Sequence, residues 1–156
     1  MTTAIVVTGP DGSGKTTLSQ LLCEMTRSRV VNVGDALRHR LAGIGVTVQD
    51  KAEIGPEFFT HFGVEDYLCV VTQIVSGSDV IVDGLRLYSA LAKIRNMAEV
   101  TLIYRERSPA TRDSMASHVE PYSTDLQKFA AEADIFVPWA ASPESLPSLV
   151  SRLVGC

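Results

Sequence analysis

"AIVVTGPDGSGKTTLSQLL", residues 4–22, is the stretch that decides the fold. Ala4 to Val7 form an uninterrupted apolar run of strand length, as expected for a strand buried on both faces of a parallel sheet. A glycine-rich turn follows directly, and an amphipathic helix runs from Lys15 to about Arg27. Gly9, Gly14, Lys15 and Thr16 satisfy the pattern G-x-x-x-x-G-K-[ST] in the strand–loop–helix setting that gives it meaning. Glycines let the backbone close tightly around an anion, so that successive N–H groups face it. The helix start adds its partial positive charge. The spacing therefore predicts a phosphate cradle made of Gly9, Asp11, Gly12, Ser13, Gly14, Lys15, Thr16 and Thr17. In it Lys15 reaches the β- and γ-phosphates of a bound nucleotide, and the Thr16 hydroxyl binds Mg²⁺.

Working outward, short apolar runs alternate with helical patterns. Strands are expected at Ala4–Thr8, Arg29–Val33, Asp79–Asp83, Val100–Tyr104 and Ile135–Pro138. Helices are expected at about Asp35–Leu41, Val64–Val75, Tyr88–Met97, Pro109–Ser117, Thr124–Ala133 and Pro143–Val154. The stretch Gly43–Gly63 holds four glycines and a proline. It reads as an irregular flap with a short helical turn. Five strands joined by helices predict an α/β fold in three layers, with right-handed crossovers and a ligand site outside the C-terminal strand edges.

The composition bounds the rest. With 156 residues, 46 % hydrophobic and 21 % charged, the chain suits a single globular domain with its own core. A net charge of −4 argues against tracking a long nucleic-acid backbone, so a small-molecule acceptor ranks above a nucleic acid. Cys23, Cys69 and Cys156 share no metal or redox spacing, and an odd count points to a reducing compartment. Neither a signal-peptide pattern nor a membrane-length apolar run is present. A cytoplasmic monomer or homodimer is expected.

Three further segments carry a resemblance. "VNVGDALRHRL", residues 31–41, resembles the GD-x-hydrophobic-R segment of adenylate kinases and related nucleoside monophosphate kinases. "VIVDGLRLYSAL", residues 80–91, resembles their hydrophobic-DG-x-x-R segment, and more closely the DGxR of dephospho-coenzyme A kinase-like enzymes. "GPDGSGKTT" is similar to the loop of thymidylate kinases, and residues 132–153 follow the tail outline of the dephospho-coenzyme A kinase group. The resemblance spans nearly the whole chain and implies the three-layer P-loop kinase fold, with a five-stranded parallel sheet in the order 2-3-1-4-5. One domain over residues 1–156 is expected, with an acceptor-binding insertion at about 36–76 and a short lid at about 105–125.

That resemblance implies an ATP-dependent phosphotransferase acting on a (deoxy)nucleoside monophosphate or a similar phosphate-bearing acceptor. Arg38 lies one helical turn after Asp35, and Arg86 follows the third strand. Both would clamp the acceptor phosphate, since arginine binds phosphate with two parallel hydrogen bonds. Asp83 would join the Mg²⁺ shell through water. Asp35 has three open roles: positioning the acceptor, taking a proton from an acceptor hydroxyl, or only capping its helix. Arg105, Arg107 and Arg112 in "YRERSPATR" fall where such kinases carry lid arginines, and Arg112 matches best. The second lid arginine is missing, because Met115 and Ala116 stand there.

Phe58, Phe59, Phe62 and Tyr67 offer either a stacking pocket for a base or ordinary core. Trp139 stands where the family tail carries asparagine, near the expected donor adenine. Two alternatives stay open. One is a hydroxyl kinase acting on a nucleoside, a hydroxymethylated pyrimidine in DNA or a polynucleotide end, with Asp35 as general base. The other is a module that binds or hydrolyses ATP without any acceptor.

Overall fold

The first strand faces two cores at once. In β1 (Thr2–Thr8), Ala4 and Val6 pack into one apolar cluster while Ile5 and Val7 pack into another, and all four are buried. Period-two alternation sends successive side chains to opposite faces, so a strand apolar at every position must be covered on both. These positions come from a computed structural model, which describes residues 2–10, 13–107, 123–139, 145, 148 and 151–152. Asp11, Gly12, Arg112, the expected helix Pro109–Ser117 and most of Pro143–Val154 lie outside the described residues.

The remaining elements are α1 (Lys15–Thr26), β2 (Arg29–Asn32), α2 (Val33–Ala42), a 3₁₀ turn (Lys51–Glu53), α3 (Ile54–His61), α4 (Val64–Val75), β3 (Val80–Asp83), α5 (Ser89–Met97), β4 (Ala98–Arg105), α6 (Ser123–Glu132) and β5 (Ile135–Val137). All strand pairs are parallel, in the order β2-β3-β1-β4-β5. Among the described helices, α1 covers one face through Leu18 and Leu22, against Ile5, Val7, Ile81 and Ile103. Buried side chains of α2 to α6 cover the other, with Leu37, Phe58, Val71, Leu91 and Phe129 among them. No described helix is long and apolar enough to cross a membrane.

Two boundaries differ from the expectation, each for a local reason. β2 ends at Asn32 and α2 starts at Val33, not at Asp35. The Asn32 carboxamide accepts a hydrogen bond from the Asp35 N–H at 2.9 Å and caps the helix. Asp35 is thus the third residue of the helix and not its cap. In the supposed flap, residues 43–50 and 62–63 lack helix or strand; between them the 3₁₀ turn runs into the eight-residue α3. Pro56 is tolerated there because the first turn needs no N–H donor. Ile54 and Phe58, one turn apart and both buried, draw that face into the core.

Arg29 closes the other end of this layer. Its guanidinium donates to the Ile74 carbonyl at 2.6 Å, the Ser76 carbonyl at 3.3 Å and Ser78 Oγ at 2.8 Å. It thereby satisfies carbonyls that the last turn of α4 leaves without helical partners.

Candidate functional site

The loop between β1 and α1 is held by backbone. Gly9 has φ +153°, and a Cβ there would lie 2.3 Å from the Arg105 carbonyl oxygen. The N-cap of α1 is Gly14, which has no side chain to cap it, and the first turn contains no acidic residue. By contrast α2 has the Asn32 cap, and the Asp66 carboxylate accepts from the Gly63 N–H where α4 begins. An uncapped helix start framed by tight glycine turns is a ready anion site. Lys15 bends back so that its ammonium lies 3.4 Å from the Pro10 carbonyl. Its Cε also passes 3.9 Å from where a Gly84 Cβ would stand. Gly84, at φ +85°, donates its N–H to the Val7 carbonyl at 2.9 Å, which ties the end of β3 to the end of β1.

Beside this loop sits Asp83, 2 % exposed at the end of β3. Its Oδ2 accepts from Asn32 Nδ2 at 3.1 Å and, at a long 3.5 Å, from Thr16 Oγ1. Its Oδ1 is buried and has no hydrogen-bond partner among the described residues. A buried carboxylate oxygen without a partner is costly in a closed core, and a hard cation offsets that cost. Thr16 and Asp83 therefore fit Mg²⁺, which prefers oxygen ligands and takes few from protein. Among the described residues no three His, Cys, Asp or Glu side chains cluster, so phosphate and water would complete its shell.

A cleft of about 130 Å³ opens between the β1–α1 loop and α2, α3 and α4. Lys15, Thr16, Asn32, Asp35, Lys51, Tyr67 and Arg86 all line it. The Asp35 side chain is 69 % exposed. Arg38 stands 4.0 Å from the Asp35 carboxylate but does not line the cleft. The structure thus brings Lys15, Thr16, Asp35, Asp83 and Arg86 together and leaves Arg38 outside the cleft lining. Lys51 and Asn32 were missed by sequence reasoning. Lys51 belongs to no motif, and Asn32 carried only the signal of a cap-forming residue before a helix.

The aromatic run is core. Phe58 stacks on Phe62 with centroids 4.9 Å apart, Phe59 on Tyr67 at 5.7 Å, and Phe58 meets Tyr67 edge-on at 6.1 Å. Of the four, only Tyr67 lines the cleft. Its hydroxyl accepts the Arg86 N–H at 3.2 Å, and burial pushes its pKa up to about 12. A proton held more tightly in the folded state contributes stability below the unfolded pKa, near 10, which is lost as pH rises toward 12. Tyr67→Phe should cost about 1–3 kcal/mol at pH 8, because it leaves the Arg86 N–H unpaired. That gap should narrow between about pH 10 and 12 as the wild type alone titrates. Urea denaturation at pH 8 and pH 11 tests this; a gap that does not shrink would contradict it.

Arg105 lies beside the start of α1, with Nε 3.9 Å from the position of a Gly14 Cβ and Nη1 donating to the Pro138 carbonyl at 2.5 Å. Arg107 follows β4 and is half-buried. Trp139 is 49 % exposed, with its N–H donating to Glu106 at 3.2 Å. It follows β5, the strand paired with β4.

No protein-family model and no curated protein matches the sequence. Solved structures do. A shikimate kinase from Aquifex aeolicus superposes with a TM-score of 0.65 at 17 % identity, over 97 % of this chain and 96 % of that one. A shikimate kinase from Bacteroides thetaiotaomicron gives 0.60 at 15 %, over 97 % and 96 %. A gluconokinase from Sinorhizobium meliloti gives 0.51 at 19 %, over 97 % and 95 %. The chain therefore has the three-layer P-loop kinase fold, over essentially its full length.

Proposed function

We propose that this chain is an ATP-dependent kinase acting on a small acceptor that carries a hydroxyl and an anionic group. One observation carries the reading. Asp35, an exposed carboxylate, opens onto the same cleft as Lys15 and Thr16, and Arg86 and Lys51 line that cleft too. The two cations would hold the acceptor's anionic group, while Asp35 takes the proton from its hydroxyl. The freed oxygen forms a bond to the γ-phosphorus as the bond to the β–γ bridging oxygen breaks, leaving ADP. Lys15 and the loop N–H groups stabilise the charge on the moving phosphoryl group, because positioning and electrostatics dominate such transfers. Thr16 and Asp83 would hold Mg²⁺, which would supply positive charge to offset that of the nucleotide phosphates.

Among the proteins sharing this fold, the shikimate kinase and the gluconokinase act on small hydroxylated acids, which supports the same acceptor class here. Residues 36–76 would form the acceptor wall and residues 105–125, with Arg112, the lid. A nucleoside monophosphate is the second reading, favoured by Arg86 at the end of β3 beside the phosphate loop. The self-packed phenylalanines give it no stacking surface.

A screen of ATP consumption with Mg²⁺ against hydroxy acids, nucleosides and nucleoside monophosphates separates these readings. With a hydroxyl acceptor, Asp35→Asn should lower kcat by about 10²–10⁴-fold, the usual contribution of a general base. A monophosphate acceptor already presents an ionised oxygen, so the same variant would then leave kcat nearly intact. ATP consumption independent of every acceptor would reject both.

A further inference from the structure

Asn32 makes two bonds with one carboxamide, and they point to opposite halves of the site. It ends β2 in register with Asp83 of β3. Its Oδ1 accepts from the Asp35 N–H at 2.9 Å, and its Nδ2 donates to Asp83 Oδ2 at 3.1 Å. Turning the amide over would set an oxygen against a carboxylate and an N–H against an N–H, so this orientation is the one the partners enforce. The donated bond engages Oδ2 of Asp83, and Oδ1 is the oxygen with no hydrogen-bond partner.

A helix cap requires only an acceptor, and Ser or Asp caps as well as Asn. Donating to a neighbouring carboxylate at the same time is beyond Asp altogether, and beyond the shorter Ser at this reach. The feature that capping leaves unexplained is therefore the Nδ2 bond.

We infer that Asn32 is a positioning residue that couples the cation side of the site to the acceptor side, holding the Asp83 carboxylate for the nucleotide-bound cation while fixing the first turn of α2 that carries Asp35. This rests on the kinase reading above, but it concerns a step before any acceptor binds. Residues that orient a metal-binding carboxylate typically affect metal affinity by about 10–100-fold when removed.

Three variants of the full chain separate the two bonds. Asn32→Ser keeps a cap and loses the donor, Asn32→Asp keeps a cap and sets a second carboxylate beside Asp83, and Asn32→Ala loses both. The probe is an ATP analogue with a non-hydrolysable β–γ bridge, titrated calorimetrically with and without Mg²⁺; thermal melting without ligand follows the cap. Asn32→Ser should melt close to wild type, yet lose about 10-fold or more of the Mg²⁺-dependent part of analogue affinity. Asn32→Ala should show that loss together with a lower melting temperature. If Asn32→Ser binds the Mg²⁺ analogue like wild type while Asn32→Ala is merely less stable, Asn32 is only a cap and the inference is overturned. If wild type itself gains nothing from Mg²⁺, the kinase reading falls with it. These two failures are distinct.

Discussion

Lys15→Ala is expected to lower phosphoryl transfer by about 10³-fold, the upper end of what removal of one preorganised charge-stabilising group costs. The size follows from where the ammonium sits. It occupies the mouth of an uncapped helix start, lines the cleft that Asp35 shares, and is the one lysine of the phosphate loop. During transfer, negative charge moves across the γ-phosphoryl oxygens, and little covalent chemistry is left for the protein to perform. The fold should be spared, because position 15 opens α1 and alanine is the best helix former. Lys15→Arg should rescue poorly. A planar guanidinium fork does not reproduce the compact point charge of an ammonium at the γ-phosphoryl oxygens. Turnover with the best acceptor from the screen, paired with a melting curve, makes the measurement. Activity retained in a folded Lys15→Ala protein would place the nucleotide phosphates somewhere other than this loop.

What the sequence made legible was local or periodic. The phosphate loop is one contiguous pattern, and the apolar runs mark five buried strands; the strand order was implied by the family resemblance, and the sheet has that order. Asp83 and Arg86 were picked out because a segment resembling a family motif puts one at the end of the third strand and the other three residues beyond it. The walls of the cleft were harder, since tertiary contacts decide them. Phe58, Phe59 and Phe62 have the composition of either a stacking pocket or a core, and only their mutual stacking shows which. The same holds for α3, where Gly55 and Pro56 read as breakers until Ile54 and Phe58 are seen buried one turn apart. Asp35 and Arg38 do share a helix face, at 4.0 Å. Yet the shared face says nothing of which of them reaches the cleft, and Arg38 does not. Lys51 reaches it from a 3₁₀ turn 16 residues further along the chain than Asp35, a distance at which no spacing rule operates.

The largest structural effect is expected at Gly9. In Gly9→Ala the new methyl would stand 2.3 Å from the Arg105 carbonyl oxygen and 3.1 Å from Ser13 Oγ. A flexible side chain can retreat from such a contact; a carbonyl at the end of a central strand cannot. β1 and β4 are paired along their whole length, with Thr8 opposite Tyr104 immediately before the clash, so separating them would open the ladder at the middle of the sheet. To this is added the strain of a non-glycine residue at φ +153°. Overpacking against rigid backbone and dihedral strain each cost about 1–3 kcal/mol, so a loss of about 3–5 kcal/mol is expected. That is a large part of the 5–15 kcal/mol by which domains are ordinarily stable. Gly45→Ala and Gly77→Ala supply the comparison. Both glycines have positive φ, +82° and +100°, but a Cβ at either meets nothing within 4 Å. They should show dihedral strain alone, about 1 kcal/mol each. Urea denaturation of the three variants therefore isolates the clash. If Gly9→Ala costs no more than the other two, the Arg105 carbonyl does not press on the loop. If it costs several times more, and nucleotide binding falls with it, the close approach of β4 is what shapes the phosphate cradle.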